Sequence, residues 1–485
     1  MFENESPARS ASSHEADKLA ELGVASAAAA IRDGAISSER YALALLQRAR
    51  DHANLNAFIT IDEAAVLTAA RDADKARATG ATAPLLGVPL GVKDSYLTRG
   101  IRTTLGVGNL AHYVPDRDAA LVATLKHAGG IVFGKNNLVE MSYGLTGNNA
   151  PYGQARNPRN PDHVTGGSSS GAGASVGAHI VPAAFGGDTV GSIRVPASLT
   201  GVVGFKPTPG RWSGDGVAPI SHTLDTPGVL ARSVEDCLLI DHVVTRSPFT
   251  ATRGPADLRG VRLAYAPRQH LERIEPEVEV RFNEVLRQLR AEGADIVEID
   301  LGDDYASIVE RSTWRIFFHE TMDAVAEFLR INDVPVVFEE ILRDLKPGLK
   351  EAWGHMVLPG GAGFSRAEYD QAVTVDRPEI QRRYDAAFTA GNVDALLFPT
   401  TPTTAPSIAH QSNFFIAGHE VTDLALAKHT IGASLAGLPG ISLPMGRSSV
   451  RLPLGLELDG PRGQDGRLLD LARRVEAVLG GSSPG

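Results

Sequence analysis

The spacing of apolar positions predicts alternating helices and strands along the first part of the chain. An Ala-rich periodic stretch predicts a helix over Asp17–Arg32 that is stopped by Gly34. A second helix is predicted to end at Arg48, and a third is predicted over Asp62–Ala78. The apolar run LLGVPLGVKDSY predicts a buried strand, and GGIVFGK predicts another strand after a helix over Asp118–Ala128. This alternation is typical of an α/β sheet.

The second half continues the alternation and adds a long helical stretch. Residues 255–300 are predicted to form strand, helix and strand, and residues 303–390 to be mostly helical. A strand in VDALLFPTTPTTAP is followed by the segments GLPGISLPMG and LPLGLELDG and by an amphipathic helix over Leu468–Leu479. Residues 1–15 are predicted to form a flexible tail, which leaves 16–485 as a single domain with a helical insertion at about 303–390.

The composition is that of an ordinary soluble globular protein, with 43% hydrophobic and 21% charged residues among 485. Lys and Arg number 47 against 57 Asp and Glu, and the basic residues form no stripe, so we expect no nucleic-acid binding. We expect no membrane span, because no run of about 18 apolar residues occurs. The single cysteine, Cys237, and the polar N-terminal segment favour a cytoplasmic protein.

Three segments carry candidate chemistry: GVPLGVKDSY with Lys93, GGSSSGAGAS with Ser168, and GGDTVGSIRVPAS with Ser192. Glycine-rich sequence before each serine lets backbone N–H groups converge on one point, as stabilisation of an oxyanion requires. A lysine on a buried strand loses solvation, which lowers its pKa and lets it act as a neutral base. Taken singly, each segment is also typical of a structural loop or of a lysine paired with a carboxylate.

Other interpretations compete at this point. The segment GSSSG matches the G-x-S-x-G elbow of α/β-hydrolases, with Ser169 as nucleophile and His429 as its base. A phosphate-binding loop is disfavoured because no G-K-[ST] follows the glycines. No cluster of His, Cys and carboxylates has metal-ligand spacing, and HETMD (His319–Asp323) is predicted to be a polar helix face. Cys237 is predicted to be a small core residue.

The order of the three segments resembles that of the amidase signature family. The run Gly166–Arg211, GGSSSGAGASVGAHIVPAAFGGDTVGSIRVPASLTGVVGFKPTPGR, is similar to the defining segment of the family. The resemblance extends upstream through GVPLGVKD, GKNNLVEMSYG and ARNPRNP and downstream through LFPTTPTTAP, LAGLPGISLP and LPLGLELDG, so it covers nearly the whole chain. It implies an α/β/α sandwich with a large mixed, mostly parallel central sheet and a helical insertion.

The resemblance also implies roles for individual residues. Ser192 matches the nucleophile, Ser168 the bridging serine that follows a cis peptide bond, and Lys93 the base. The resemblance implies no cofactor and no metal, and it places the oxyanion hole on the backbone N–H groups of Thr189, Val190, Gly191 and Ser192. Because the family usually has two glycines before the nucleophile, we expect Val190 to crowd the mouth of the hole and to tune the acyl pocket.

Two residues of opposite charge flank the predicted nucleophile. Asp188 and Arg194 are six positions apart, four before and two after Ser192. We expect them to form a structural charge pair or to bond the surrounding loop. No chemical step is assigned to either.

Within the family, YGLTGNNAPYGQARNP and DGVAPISHTLDTPG resemble bacterial indoleacetamide and mandelamide hydrolases, which cut arylacetamide-type primary amides. The implied substrate contacts are the helical insertion and Met141, Ser142, Gly144, Thr400 and Thr401. The implied activity is hydrolysis of small aryl or alkyl amides, with carbamate, urethane, anilide or ester cleavage as the alternative. The amidase component of a tRNA-dependent amidotransferase and an inactive binding protein are disfavoured. The expected partner is a small amide or carbamate, and the expected assembly is a monomer or homodimer.

Overall fold

The computed structural model describes residues 11–247, 257–361 and 363–480. Its strands are β1 Phe58–Thr60, β2 Pro89–Lys93, β3 Ile131–Asn136, β4 Ala183–Asp188, β5 Val203–Lys206, β6 Thr226–Ala231, β7 Arg262–Tyr265, β8 Asp295–Glu298, β9 Ala395–Pro399, β10 Asn413–Ile416, β11 His419–Thr422, β12 Gly440–Arg447 and β13 Pro453–Asp459. Eleven strands of these described ranges form one sheet, and β10 and β11 form a separate hairpin.

Helices of the described ranges pack around this sheet. They are α1 Ala11–Ala20, α2 Val24–Arg32, α3 Ser38–Asp51, α4 Glu63–Ala78, α5 Ala120–His127, α6 Ser170–Gly177, α7 Arg194–Thr200, α8 Val234–Thr245, α9 Pro267–His270, α10 Pro276–Ala291, α11 Tyr305–Ile331, α12 Phe338–Asp344, α13 Pro347–Met356, α14 Arg366–Gln371, α15 Arg377–Ala390, α16 Ile431–Ala436 and α17 Asp465–Gly480. A π-helical turn, Ala372–Asp376, joins α14 to α15.

The strand order in the large sheet is β1-β3-β2-β4-β6-β5-β12-β13-β9-β7-β8. Strand β2 is parallel to both β3 and β4, and β7 is parallel to both β8 and β9. The pairs from β4 through β6, β5, β12 and β13 to β9 are antiparallel, as is β1 with β3. The α/β class and the mixed sheet are thus confirmed. Parallel pairs lie towards its two ends, and its centre is antiparallel because short connections, such as that from β12 to β13, cannot cross over the sheet.

The strands that lead to the candidate site are buried on both faces. Every residue of β2, β3 and β6 is buried, as the sequence predicts for the run that contains Lys93. Consecutive side chains of a strand point to opposite sides of a sheet, so helices must cover both sides here. A side chain at the end of such a strand is therefore held in a dry, fixed position.

The N-terminal helices begin and end differently from the prediction. The predicted helix Asp17–Arg32 is two helices, α1 and α2, separated by a break that ends at Gly23. Gly23 is required there because a Cβ would collide with the Asp236 carboxylate, which accepts a hydrogen bond from Ala25 N at 2.8 Å. The predicted tail 1–15 is also too long, because α1 begins at Ala11. Residues 1–10 of that tail lie outside the described residues.

The predicted helical stretch corresponds to α11 through α15. Its longest helix, α11, has 27 residues. Tyr143, next to the predicted substrate contacts, packs against Phe317 of α11 and Trp353 of α13 at ring-centroid distances of 4.8 and 4.9 Å. The helical stretch therefore contacts the segment between β3 and α6, close to the candidate site. Within the ranges the structure describes, no helix is both long and apolar enough to cross a membrane.

Candidate active site

The predicted base lies at the end of strand β2. Lys93 is 1% exposed, and its Nζ lies 2.8 Å from Ser168 Oγ. Burial lowers the pKa of Lys93 to about 7, although the negative charges of Asp225 and Asp188 oppose the shift. A lysine with this pKa is substantially neutral near pH 7, so its nitrogen can accept a proton from a neighbouring hydroxyl.

The two predicted serines come from segments that touch each other. A cis peptide bond joins Gly167 to Ser168, as the family resemblance implies. The next amide, Ser169 N, donates a hydrogen bond to Ser192 O at 3.2 Å. Ser192 is 3% exposed and lies in the turn between β4 and α7. The structure thus brings Lys93 to Ser168 and brings the Ser168–Ser169 segment to Ser192.

The turn that carries Ser192 is folded around Asp188. The Asp188 carboxylate accepts hydrogen bonds from Gly191 N at 2.8 Å and from Ile193 N at 3.2 Å. Gly191 has φ +137°, and a Cβ there would collide with the Thr430 hydroxyl, which donates to Val190 O at 2.5 Å. Only glycine fits this position, because its backbone conformation and its close contact both exclude a side chain.

The predicted charge pair is present and is completely buried. Arg194 Nε and Nη2 donate to the two oxygens of Asp188, each at 3.0 Å. Burial alone would raise the pKa of Asp188, but the Arg194 guanidinium holds it below its ordinary value. Arg194 also donates to Glu457 at 3.2 Å, to Ser434 at 2.9 Å and to Thr430 O at 3.1 Å. The pair therefore fixes the turn to strand β13, to helix α16 and to the residue that precedes α16.

The structure assigns one predicted oxyanion donor to a different task. Gly191 N–H is directed at Asp188, where it shapes the turn. Sequence could not show this, because it requires the carboxylate three positions earlier to fold back over the turn. Val190 is buried, with its carbonyl held by Thr430, so it is part of the support of the turn as well as a potential N–H donor.

A cavity of about 290 Å³ opens beside Lys93 and Ser168. Its polar side includes Asp188, Thr189, Ser142 and Asp225, in addition to the lysine and serine. Its apolar side is formed by Trp212, Val217, Ala218, Pro219, Ile220 and Pro227. This combination, an apolar wall with a few convergent polar groups, is typical of a pocket for a small organic ligand.

Of the five residues predicted to contact the substrate, one lines this cavity and four do not. Ser142 lines it, with an unusual φ of +63° that follows Met141 at φ +49°. Met141 is 4% exposed, and Gly144 has φ +142°. Neither residue lines the cavity in the part of the chain that the structure describes. Thr400 and Thr401 are also buried away from the lining, and their hydroxyls contact Ser442 at 2.7 Å and Thr403 O at 2.8 Å. The hydroxyls of both threonines thus have hydrogen-bond partners within the protein.

Residues that the sequence analysis did not single out form most of the cavity wall. Trp212 and the segment 217–222 come from the stretch between β5 and β6, and Asp225 closes it. The motif DGVAPISHTLDTPG contains most of this wall, so the signal was present in the sequence. Only the fold shows that this motif and Ser168 line the same cavity, because the two segments are far apart in the sequence.

The competing interpretations find little support in the geometry. Ser169 is buried, and its hydroxyl donates to Gly187 O at 3.2 Å. His429 is buried with Nδ1 2.7 Å from Pro399 O, and burial lowers its pKa to about 3. Cys237 is fully buried in α8, which confirms it as a core residue. Among the described residues, no group of three or more His, Cys, Asp or Glu side chains could hold a metal ion.

The polar helix face predicted for His319–Asp323 is wrong at its centre. Glu320 and Thr321 of α11 are buried, whereas Asp323 is exposed. The Thr321 hydroxyl contacts the Tyr143 hydroxyl, and Glu320 accepts hydrogen bonds from the cavity wall. Helical periodicity alone did not indicate this burial, because the partners are also polar.

This fold and site define a class of enzyme, and comparison with known proteins agrees. A family model described as Amidase matches residues 40–469, and the chain belongs to this family. It is an amidase, a hydrolase that acts on amide C–N bonds.

Particular relatives match along nearly all of the chain. Mandelamide hydrolase of Pseudomonas putida is 35% identical over 482 residues, which are 96% of this chain and 92% of that protein. Indoleacetamide hydrolase of Allorhizobium ampelinum is 31% identical over 437 residues, 90% of this chain and 93% of that protein. One subunit of the glutamyl-tRNA(Gln) amidotransferase of Roseiflexus castenholzii is 36% identical over 489 residues, 95% and 96% of the two chains.

Solved structures show the same fold. A crystal structure of an amidase superposes with a TM-score of 0.83 at 28% identity, covering 94% of this chain and 99% of that one. The native peptide amidase from Stenotrophomonas maltophilia superposes with a TM-score of 0.77 at 28% identity, covering 94% and 96%. The resemblance inferred from sequence is thereby confirmed at the level of family and fold.

Proposed function

We propose that this amidase cleaves small aryl or alkyl amides through an acyl-enzyme on Ser192, with Ser168 and neutral Lys93 as a proton relay. The observation that carries the proposal is the 2.8 Å contact between Lys93 Nζ and Ser168 Oγ inside a buried site. Burial lowers the pKa of Lys93 to about 7, which makes the amine available as a base near neutral pH.

In the proposed reaction, Lys93 takes the proton of Ser168 while Ser168 takes that of Ser192. Ser192 Oγ then attacks the carbonyl carbon, and the oxyanion forms opposite the turn that precedes α7. We assign its stabilisation to the N–H groups of Thr189, Val190 and Ser192, because Gly191 N–H is directed at Asp188. The proton returns through Ser168 to the departing nitrogen, and water hydrolyses the acyl-enzyme by the same relay.

The cavity supports an aryl or alkyl acyl group as the preferred substrate part. Its apolar wall includes the Trp212 ring and the side chains of Val217 and Ile220, and its volume of about 290 Å³ suits a small molecule. The similarity to mandelamide hydrolase and indoleacetamide hydrolase favours arylacetamide-type primary amides.

Carbamates, urethanes, anilides and esters are the alternative substrates. Attack of Ser192 on the carbonyl depends little on the leaving atom, so the same three residues serve all of these groups. A role within a tRNA-dependent amidotransferase is the second alternative, supported by 36% identity to the Roseiflexus castenholzii protein. That role would require partner subunits and glutamine as the amide.

The test is a substrate panel in which three compounds share the phenylacetyl group and differ in the leaving group, with a carbamate for comparison. Phenylacetamide, phenylacetanilide, a phenylacetate ester and a benzyl carbamate are compared by release of ammonia, amine or alcohol, with glutamine as a further arm. We expect the wild-type chain alone to turn over phenylacetamide, Ser192→Ala to turn over none of the panel, and the exposed control Ser449→Ala to match wild type. Turnover of glutamine alone would contradict the proposal, as would activity of Ser192→Ala.

A further inference from the structure

The segment Pro219–Asp225, which forms part of the cavity wall, is held between one half-buried and one buried carboxylate. The first is Asp225 itself, whose Oδ2 accepts hydrogen bonds from Ile220 N at 2.7 Å and Ser221 N at 3.1 Å. Its Oδ1 accepts from the Thr189 hydroxyl at 2.7 Å. This carboxylate therefore ties the wall to the turn that carries Ser192.

The second carboxylate, Glu320, comes from the opposite side of the wall. It belongs to α11 and accepts hydrogen bonds from Thr223 N at 3.0 Å and from the Thr223 hydroxyl at 2.6 Å. The Ser221 hydroxyl also donates to it, and the Tyr369 hydroxyl of α14 donates at 2.8 Å. Each of the two carboxylate oxygens thus has two described donors, and three of the four donors belong to the segment Pro219–Asp225, in which Ser221 lines the cavity.

Glu320 connects its own helix, α11, to the segment Pro219–Asp225. Glu320 is 7% exposed; among the described side-chain hydrogen bonds it accepts one from the helical stretch, that of Tyr369, and the others come from residues about a hundred positions earlier. Hydrogen bonds to a carboxylate are stronger than those between neutral groups, so these donors hold Ser221 and Thr223 against α11. The side chains of Pro219 and Ile220, next to these donors, face the cavity.

We propose that Glu320 is a positioning residue that sets the width of the acyl pocket by holding Ser221 and Thr223. The inference rests on the proposed function, because it takes the cavity to be the acyl pocket. In this arrangement the helical stretch determines substrate selection through one carboxylate, without contact between Glu320 and the substrate.

The change Glu320→Gln keeps the shape of the side chain but replaces one acceptor by an NH2 group that faces donors. The wall should then move, and a large acyl group should lose contacts that a small one never makes. We expect KM for phenylacetamide to rise roughly tenfold, the equivalent of about 1.4 kcal/mol, with kcat reduced by less than about threefold. The rise in KM for acetamide should be several-fold smaller.

Three further variants separate this role from a general loss of stability. Thr223→Val removes a donor to Glu320 and should raise the ratio of KM for phenylacetamide to KM for acetamide, as Glu320→Gln does. It replaces Glu320→Gln in the test if that variant does not fold. Tyr369→Phe removes the donor on α14 and should shift it less. Glu368→Gln is the matched control: its carboxylate bonds Ser365 and Arg315 in the same helical stretch but does not reach the wall.

The experiment compares KM and kcat for both amides in each variant, together with the rate at which methyl fluorophosphonate labels Ser192. A selective rise in KM for phenylacetamide in Glu320→Gln and Thr223→Val, with labelling near the wild-type rate, supports the proposal. Equal changes for both amides, a change in kcat alone, or no change would overturn it while wild-type turnover leaves the proposed function intact. Absence of amide turnover by wild type would instead refute the proposed function.

Discussion

Three lysines are buried near the site, and their partners distinguish their roles. Lys135 Nζ contacts the Asp94 carboxylate at 3.1 Å, and Lys206 donates to the carbonyl of Pro207 at 3.1 Å. Lys93 instead contacts the hydroxyl of Ser168 and lies at the cavity. Burial lowers the pKa of all three lysines, but a carboxylate or a carbonyl has no proton to exchange with the amine, whereas the Ser168 hydroxyl does. This contrast supports Lys93 as the base.

Replacing the proposed base by a permanently charged residue should stop the reaction. Lys93→Arg keeps a positive charge but cannot deprotonate, and we expect its kcat/KM to fall by about a hundredfold or more, as loss of a general base does. The measurement is hydrolysis of phenylacetamide, with circular dichroism to verify folding. Lys126→Arg, a surface lysine paired with Asp118, is the control. A Lys93→Arg rate above about a tenth of wild type would show that another group is the base.

The same residue sets the expected pH dependence. Burial lowers the pKa of Lys93 to about 7, and the base is lost when the amine is protonated below that pH. The value of kcat/KM should therefore rise with pH through about 7 and reach a plateau above it. Burial also raises the pKa of Asp225 to about 6, so protonation of the wall carboxylate should steepen the fall at lower pH. A profile measured with a non-ionising amide that is flat, or that falls as pH rises through 7, contradicts this account.

At the scale of elements, the turn between β4 and α7 leaves no room for a side chain at Gly191. Gly191→Ala would place a Cβ against the Thr430 hydroxyl in a backbone conformation that side chains rarely adopt. We expect kcat/KM to fall by about a hundredfold or more, because a displaced turn would move the proposed oxyanion donors Val190 N–H and Ser192 N–H. Gly466→Ala, in α17 with open space around it, is the matched control. Activity of Gly191→Ala near wild type would show that the turn does not need this geometry.

Elements near the site were predictable where one local signal sufficed. The buried strand before Lys93 and the predicted helix Asp62–Ala78 follow from periodicity; the helix is present as Glu63–Ala78, and Asp62 is its N-cap and accepts from Ala65 N at 2.9 Å. The order of Lys93, Ser168 and Ser192 followed from motif resemblance. Predictions from the sequence were wrong where a contact joins distant segments of the chain.

Two such failures have the same physical cause. Gly23 interrupts the first predicted helix because it meets Asp236, more than two hundred positions later. Glu320 looked like part of a solvated helix face, but the hydroxyls of Ser221 and Thr223 cover it. Polar side chains that satisfy each other inside a protein leave no mark on hydrophobic periodicity, so only the folded arrangement shows them.

At the scale of the whole molecule, Arg194 joins the centre of the sheet to the site. Its guanidinium contacts Asp188 at the end of β4, Glu457 of β13, and Ser434 of α16. Both carboxylates are fully buried. Removing one partner of such a network leaves buried charges without compensation, which is more costly than replacing all of them.

We expect Arg194→Leu to lower the free energy of unfolding by about 3–5 kcal/mol, the range found when a buried ion pair loses one partner. Arg366→Leu should lower it by less than about 1 kcal/mol, because the Arg366–Asp370 pair is on the surface. Urea unfolding of both variants, followed by fluorescence and circular dichroism, measures the difference. Equal stability of the two variants would show that the buried network does not hold the sheet together.

The identity of the nucleophile is the central claim, and covalent labelling tests it most directly. The wild-type protein is treated with a fluorophosphonate or a slowly hydrolysed ester, digested, and analysed by mass spectrometry. The account predicts a single adduct on the peptide that contains Ser192, its loss in Ser192→Ala, and much slower formation in Lys93→Arg. An adduct on Ser168 or Ser169, or full amidase activity in a protein without an adduct at Ser192, would contradict it.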